Sequence, residues 1–195
     1  ESEHRFRSLF EQVPMISVQG YNKDREVIFW NQASERLYGF SSEQATGRRL
    51  ETLIIPKPMR DAVVGLINAW ADGGPPIPAA EWTLIDADAN PVEVFSSHVM
   101  LRDRNGALEM YSIDIDISER KRVAEALRQE QQFTKSLLDN LPGIFYLYSY
   151  PENRLVLWNK RHETLLGYEA SEMAGRHISE WQPPEYRDVV LRAVD

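Results

Sequence analysis

The chain has no cysteine among its 195 residues. That excludes a disulfide framework, a thiolate nucleophile and a zinc-finger ligand set together. Long apolar runs are missing too. No stretch approaches the roughly 18 apolar residues of a membrane span, and no charged-then-apolar leader opens the chain. Neither a membrane contact nor a signal peptide is therefore expected within these residues, and a cytoplasmic protein is. Positive charge is short: the net charge is −8. With no local basic stripe, such a chain repels nucleic acid and anionic lipid. Histidine is scarce, with 4 residues, and His4, His162 and His177 lack metal-ligand spacing, so no metal site is expected. What is present is a globular composition, 43% hydrophobic and 27% charged, with length for two domains of about 120 residues, each with its own core.

The chain repeats itself. Residues 8–50 realign without a gap onto residues 136–178, an offset of 128 (136 − 8). Ser8, Leu9, Pro14, Ile16, Trp30, Asn31, Glu35, Leu37, Gly39, Gly47 and Arg48 recur as Ser136, Leu137, Pro142, Ile144, Trp158, Asn159, Glu163, Leu165, Gly167, Gly175 and Arg176. The period is longer than the roughly 20–50 residues of solenoid repeats, so each copy is a domain. Residues 1–118 read as a complete first domain with an amino-terminal helix. Residues 119–140 read as a connecting helix, and 132–195 as the amino-terminal half of a second domain.

Within the first copy, the apolar spacing of residues 6–13 predicts a helix. Apolar runs at 15–18 and 27–30, separated by Asn22-Lys23-Asp24, predict a β-hairpin. Asn31 and Gly39 bracket a two-turn helix, and a further turn starts at residues 41–43. After Pro58, residues 59–71 carry one wholly apolar face made by Met59, Val63, Leu66, Ile67 and Trp70. Strands follow at 81–85, 92–101 and 108–115, the last two joined by Asp103-Arg104-Asn105-Gly106, a strong hairpin signal. The order β-β-α-α-α-β-β-β predicts an α+β fold, an antiparallel sheet with its helices inserted between strands two and three.

The string Phe29-Trp30-Asn31, then Glu35-Arg36-Leu37-Tyr38-Gly39-Phe40, then Gly47-Arg48, resembles the PAS domain of bacterial sensor proteins. Asp114-Ile115-Asp116-Ile117-Ser118-Glu119-Arg120-Lys121 is similar to the Asp-Ile-Thr-Glu-Arg-Lys signature that closes such modules. Leu157-Trp158-Asn159 and Leu166-Gly167-Tyr168 carry the same front half in the second copy. The resemblance implies the PAS fold, a five-stranded antiparallel sheet cradling a small cavity that senses a ligand, cofactor or partner. It further implies a place in a larger signalling polypeptide, before a histidine kinase or an enzyme of cyclic-di-GMP turnover. The alternative is a ligand-free PAS module for dimerisation or protein interaction.

Residue types narrow the input. Light-sensing classes that form a cysteine adduct, or attach a chromophore to cysteine, are excluded. Haem sensors of this family place a ligand histidine on the long helix, where residues 59–71 have none. His98, in strand 92–101, reads as a hydrogen-bonded strand residue. Non-covalent FAD needs aromatic stacking and an amide, which Trp30, Asn31 and Trp82 could supply. Against that, Trp30-Asn31 recurs in both copies as a packing residue and a helix cap. A small metabolite or no ligand at all stay open beside flavin. The pocket candidates are Trp30, Asn31, Met59, Val63, Ile67, Trp82, His98 and Tyr111.

No catalysis is expected within these residues. Asp88 and Asp103 sit in turns and Asp116 at a helix start, no phosphate loop follows a strand, and no nucleophile-base set is visible. For output, Asp116 followed by Glu119 reads as a capping-box variant that starts the connecting helix. Asp116, Ser118 and Glu119 are the candidate relay. A register with Ile117, Ala124, Gln131 and Leu138 at a, and Arg120, Leu127, Thr134 and Leu141 at d, gives a weak coiled-coil seam. A homodimer through the amino-terminal and connecting helices is expected.

Overall fold

Five antiparallel strands form the first sheet: β1 (Ser17–Asn22), β2 (Val27–Trp30), β3 (Ala80–Ile85), β4 (Pro91–Arg102) and β5 (Leu108–Asp116). Their spatial order is β2-β1-β5-β4-β3. The computed structural model describes residues 10, 13, 15–181, 185 and 187–194. It divides into two units, Glu1–Val123 and Ala124–Asp195. The helix expected over residues 6–13 lies outside the described residues, apart from Phe10 and Val13.

Register decides which side chains share a face. Gln19 pairs with Trp30 and Ser112, Ser96 with Asp114, His98 with Ser112, and Trp82 with Val94. Since side chains alternate along a strand, Gln19, Trp30, Trp82, Ser96, His98, Ser112 and Asp114 belong to one face. Val18, Phe29, Phe95, Val99, Tyr111 and Ile115 belong to the other. The first strand begins two residues later than the apolar run at 15–18 suggested, and Met15 is 84% exposed. Ser17 and Gln19 are polar yet buried, so hydropathy alone could not place this strand.

Helices cover the first face. α1 (Gln32–Tyr38) starts at Asn31, whose side chain accepts from Ser34 N–H, and ends at Gly39 with φ +75°. That left-handed conformation favours glycine. α2 (Ser42–Ala45) has a full capping box of Ser41 and Gln44. A short helix that the sequence did not reveal, α3 (Leu50–Leu53), lacks any side-chain cap. The long helix α4 (Arg60–Ala71) follows a 3-10 turn, Lys57–Met59, so Met59 precedes the helix instead of opening it. α4 buries Ile67 against a core that includes Leu50, Leu53, Ile54, Leu84 and Met110. Full burial of one such side chain is worth about 1.5–3 kcal/mol.

The connecting helix α5 (Ser118–Asp139) has no buried residue. The expected seam needs one correction. Ile117 is 6% exposed, precedes the helix, and donates its N–H to Glu93 O. It belongs to the core of the first unit, so it is unavailable as a seam position. Val123, Leu127, Phe133 and Leu137 are the exposed large apolar residues along α5.

The second unit repeats the front of the first: β6 (Tyr146–Tyr148), β7 (Leu155–Trp158), α6 (Lys160–Leu166), α7 (Ala170–Met173), a 3-10 turn (Ile178–Trp181) and α8 (Arg187–Val194). The gap-free realignment conceals a slip. Tyr146 pairs with Trp158, 12 residues on (158 − 146), whereas Gln19 pairs with Trp30, 11 residues on (30 − 19). The hairpin loop of the second copy is longer by one residue, and the segment before its first strand is shorter by one. Tyr146 is therefore the structural counterpart of Gln19, not of Val18.

Candidate functional site

A small cavity lies between the sheet and α4, with a volume of about 40 Å³. Leu50, Ile54, Ile55, Val63, Leu66, Ile67, Ile77, Trp82, Leu84 and Met110 form its apolar lining, and Gln19, Ser96, His98, Ser112 and Asp114 its polar one. The polar residues come from β1, β4 and β5, where the register sets them side by side on one face.

Asp114 is the centre of the polar side. It is 1% exposed and accepts from Tyr38 Oη at 2.6 Å and Ser96 Oγ at 2.5 Å, with Gln19 as a further partner. Burial raises its pKa, and these hydrogen bonds oppose the rise. Burial, with Asp114 beside it, also pushes the Tyr38 hydroxyl well up. Gln19 Nε2 donates to Ser17 Oγ at 2.5 Å, and Ser17 and Ser34 share a bond of 2.8 Å. On the other side, His98 Nε2 lies 3.2 Å from Ser96 Oγ. Desolvation holds the His98 pKa down at about 4. Two of the lining residues carry a buried polar atom without a hydrogen-bond partner, Trp82 Nε1 and His98 Nδ1.

Four of the eight pocket candidates line this cavity: Val63, Ile67, Trp82 and His98. The other four lie elsewhere. Trp30 is 4% exposed, donates Nε1–H to Phe40 O at 3.0 Å and packs on Tyr38 at 5.6 Å. Asn31 is saturated: Oδ1 accepts from Val18 N–H and Ser34 N–H, while Nδ2 donates to Phe10 O and Ile16 O. Met59 ends the 3-10 turn and packs on the edge of the core. Tyr111 is on the opposite face of the sheet with Val18 and Phe29. Its ring crosses Gly20 so closely that a Cβ there would meet Cε1 at 2.6 Å. The sequence reading missed Gln19, Ser96, Ser112 and Asp114 as lining residues. A usable signal existed: Ser96 and His98, like Ser112 and Asp114, are polar at i and i+2 within one strand, which puts each pair on one face.

Cofactor fit follows from volume and donor set. Ligand pockets of drug-sized molecules run to roughly 300–1,000 Å³, so flavin or haem does not fit the space as it stands. Trp30 and Asn31, the aromatic and amide considered for flavin, are committed to the scaffold. Among the described residues, no group of three or more His, Cys, Asp and Glu side chains could hold a metal ion. None of their helices is long and apolar enough to cross a membrane.

The junction is built tightly. Asp116 closes β5 opposite Val94, and its Oδ1 accepts from Ser118 N–H at 2.8 Å. Glu119 forms no reciprocal bond among the described residues, since Asp116 is still part of the sheet ladder. Charge takes its place: Lys121 bridges Glu81 at 3.1 Å and Glu93 at 2.8 Å, and Arg120 reaches Glu81 at 2.5 Å. Lys121 holds both carboxyls below their usual pKa range. These are exposed pairs, so each is individually weak. Together they tie the first turn of α5 to β3 and β4.

Comparison with known proteins agrees with this geometry. A family model described as the PAS fold matches residues 10–122, and another described as the PAS domain matches residues 132–194. No curated protein matches significantly. Among solved structures, a PAS domain from Colwellia psychrerythraea is 21% identical with a TM-score of 0.52, covering 61% of this chain and 99% of its own. A sensory box histidine kinase/response regulator from Burkholderia thailandensis is 17% identical, TM-score 0.47, covering 68% and 98%. The PAS domain of a Cronobacter turicensis quorum-sensing receptor in complex with C12:0 is 12% identical, TM-score 0.46, covering 53% and 94%.

Proposed function

The chain belongs to the PAS family, and from that premise we propose that it is the sensory input part of a larger signalling polypeptide. The first domain takes a small ligand in the cavity between sheet and α4, and the signal leaves through α5. The observation that carries this reading is a continuity. Ser112 and Asp114 line the cavity, Asp116 ends the same strand, and α5 begins two residues later at Ser118. A shift of β5 by a ligand has little slack in which to dissipate. Asp116, Ser118 and the Lys121–Glu81–Glu93 cluster are the residues that would convert it into tilt or rotation of α5. The module itself is non-catalytic and cytoplasmic, and the output domain is a histidine kinase or a cyclic-di-GMP enzyme. No residue of this chain chooses between the two outputs.

The test is an absorbance spectrum of the purified chain with mass spectrometry of small molecules released on denaturation. A stoichiometric small organic molecule, lost in Ile67→Trp, is the expected result. Ile67→Trp overfills the cavity at a cost of about 1–3 kcal/mol. Retention of the molecule by the folded variant would place it outside the cavity.

A second reading, a ligand-free homodimerisation module, is favoured by one observation. Phe95, Val99, Leu101 and Ile115 lie on the other face of the sheet at 38–45% exposure. Light scattering of Val99→Glu tests this reading, since loss of a dimer by a chain that releases no small molecule would assign that face to assembly.

A further inference from the structure

One arginine ties together two helices that wall the cavity. Arg25 lies in the β1–β2 turn with φ +65°, a left-handed conformation that is unfavourable for a residue with a long side chain. Its guanidinium reaches both helices at once. Nε and Nη2 donate to Glu51 Oε1 of α3, each at 3.3 Å, and Nη1 donates to Asn68 Oδ1 of α4 at 3.0 Å. The Arg25 and Glu51 side chains are 14% and 13% exposed, so the pair is largely shielded from solvent. The turn itself does not require arginine. In the second copy the same position is Asn153, φ +52°, and Ile178 N–H donates to Asn153 O as Leu50 N–H donates to Arg25 O. Asparagine adopts this backbone conformation more readily. Ser179 stands where Glu51 does, so the arm and its carboxylate partner are both particular to the first copy.

α4 has little else to hold it. Ile67 is its one buried residue. Among the described residues, two side-chain hydrogen bonds tie α4 to the rest of the first unit: Arg60 Nε–H to Ile55 O at 3.1 Å, and the bond between Arg25 and Asn68. The first pins the amino end to the segment that leads into it, and the second reaches across to the hairpin. Val63, Leu66 and Ile67 of α4 line the cavity, and Asn68 directly follows Ile67. A pivot about the amino end would therefore draw these three side chains away from the cavity and leave the sheet in place. We propose that α4 is a gate over the cavity and that Arg25 is its latch. Release of the bond between Arg25 and Asn68 frees the carboxy-terminal part of α4 and admits a ligand larger than the resting space of about 40 Å³. This inference rests on the cavity being the ligand site. A site open for only a fraction of the time binds more weakly by that fraction, so the strength of the latch sets the apparent affinity.

The experiment is hydrogen exchange of the 195-residue chain, with Arg25→Asn, Arg25→Gly and Asn68→Ala beside the parent. Both replacements of Arg25 tolerate the left-handed turn and remove the arm. All three variants should speed exchange within residues 60–71 by roughly tenfold, the scale of one hydrogen bond to a charged group. Exchange in β4 and β5 should not change. Equal acceleration in those strands would show that Arg25 supports the whole unit, and unchanged exchange in α4 would show that nothing is latched. Either result overturns the gate. The ligand arm is a titration with 1-hexanol, an apolar probe larger than the resting space, followed by ¹⁵N nuclear magnetic resonance. Asn68→Ala should bind it several-fold more tightly than the parent, because opening is easier. Equal affinity together with faster α4 exchange would overturn the gating while leaving the cavity a ligand site. Failure of 1-hexanol to saturate in every chain tested would instead remove the ligand-site reading, and this proposal with it.

Discussion

Asn31 and Asn159 do the same work in two copies whose concave faces differ. Asn159 Oδ1 accepts from Phe145 N–H and His162 N–H, and its Nδ2 donates to Leu138 O and Gly143 O. Asn31 makes the matching four bonds. The stacking of Arg48 over Phe40 at 5.4 Å likewise returns as Arg176 over Tyr168 at 5.3 Å. Yet the first copy's Gln19 and Ser34, joined at 3.3 Å, are replaced by Tyr146 and His162, rings 5.4 Å apart. Identity between the copies therefore marks groups that satisfy the backbone where helix meets strand. It does not mark the cavity's Gln19, whose counterpart is Tyr146. That is why Trp30 and Asn31, prominent through repetition, are scaffold.

The largest effect that would break this comparison is at the asparagines. Asn31→Ala should destabilise the first unit by about 3 kcal/mol, because several buried backbone groups lose partners at once, as read by urea denaturation. Asn159→Ala should raise the hydrogen exchange of the Phe145 and His162 amides in the same way. A cost under about 1 kcal/mol for Asn31→Ala would show that it is an ordinary cap, and the two copies would not share a structural cause.

Acid sharpens the difference between the faces. The His98 pKa is about 4 in the folded chain against 6.5 for the free side chain, so the unfolded state binds the proton first. Its contribution to stability is complete above pH 6.5 and is lost as pH falls toward 4. Between pH 6.5 and 5 the loss should reach about 2 kcal/mol. Asp114, raised by burial, moves the other way and is favoured by acid. His98→Gln should remove the loss from the first unit, whereas His162, also lowered by desolvation, continues to act in the second. An unchanged pH slope in His98→Gln would refute the buried neutral state.

Glycine gives a smaller contrast. Gly39 and Gly167 end equivalent helices at φ +75° and +77°, but a Cβ on Gly39 would meet Ala87 Cβ at 3.3 Å while one on Gly167 meets nothing within 4 Å. Both substitutions to Ala should cost about 1–2 kcal/mol for the left-handed backbone. Gly39→Ala should be the costlier of the two, as two parallel thermal melts would measure. The smallest effect is at the junction. Asp116→Ala should cost about 0.5–1 kcal/mol through the lost bond to Ser118 N–H, while Glu119→Ala leaves stability unchanged. An equal loss in Glu119→Ala would restore the reciprocal cap expected from sequence.

Legibility followed the range of the forces involved. α1 was readable to the residue because both of its ends are set by side chains at fixed offsets, Asn31 and Gly39. β5 and the Asp103–Gly106 turn were readable because alternation and turn chemistry agree. β1 was not, since Ser17 and Gln19 are polar yet buried, stabilised by partners up to 17 residues away. α3, without a cap, left no signal. At the site, Val63 and Ile67 were found through helical periodicity, and Tyr111 was misplaced because its face depends on pairing with Gly20.

Composition, repetition and periodicity by themselves determined the α+β architecture, a domain that recurs along the chain, the exclusion of cysteine chemistry and the caps common to both copies. Each of those depends on residue type at short separation, where local backbone geometry leaves few alternatives. Only the tertiary structure decided which polar side chains meet. Tyr38 and Asp114 lie 76 residues apart in the chain, and Ser96 and Asp114 face each other only through the β4–β5 register. A shift of one residue in that pairing would turn the strand's cavity face outward. The slip between Gln19 and Tyr146 shows the same dependence, because one residue gained in a loop and one lost before the strand leave the letters aligned and change which side chain occupies the concave face.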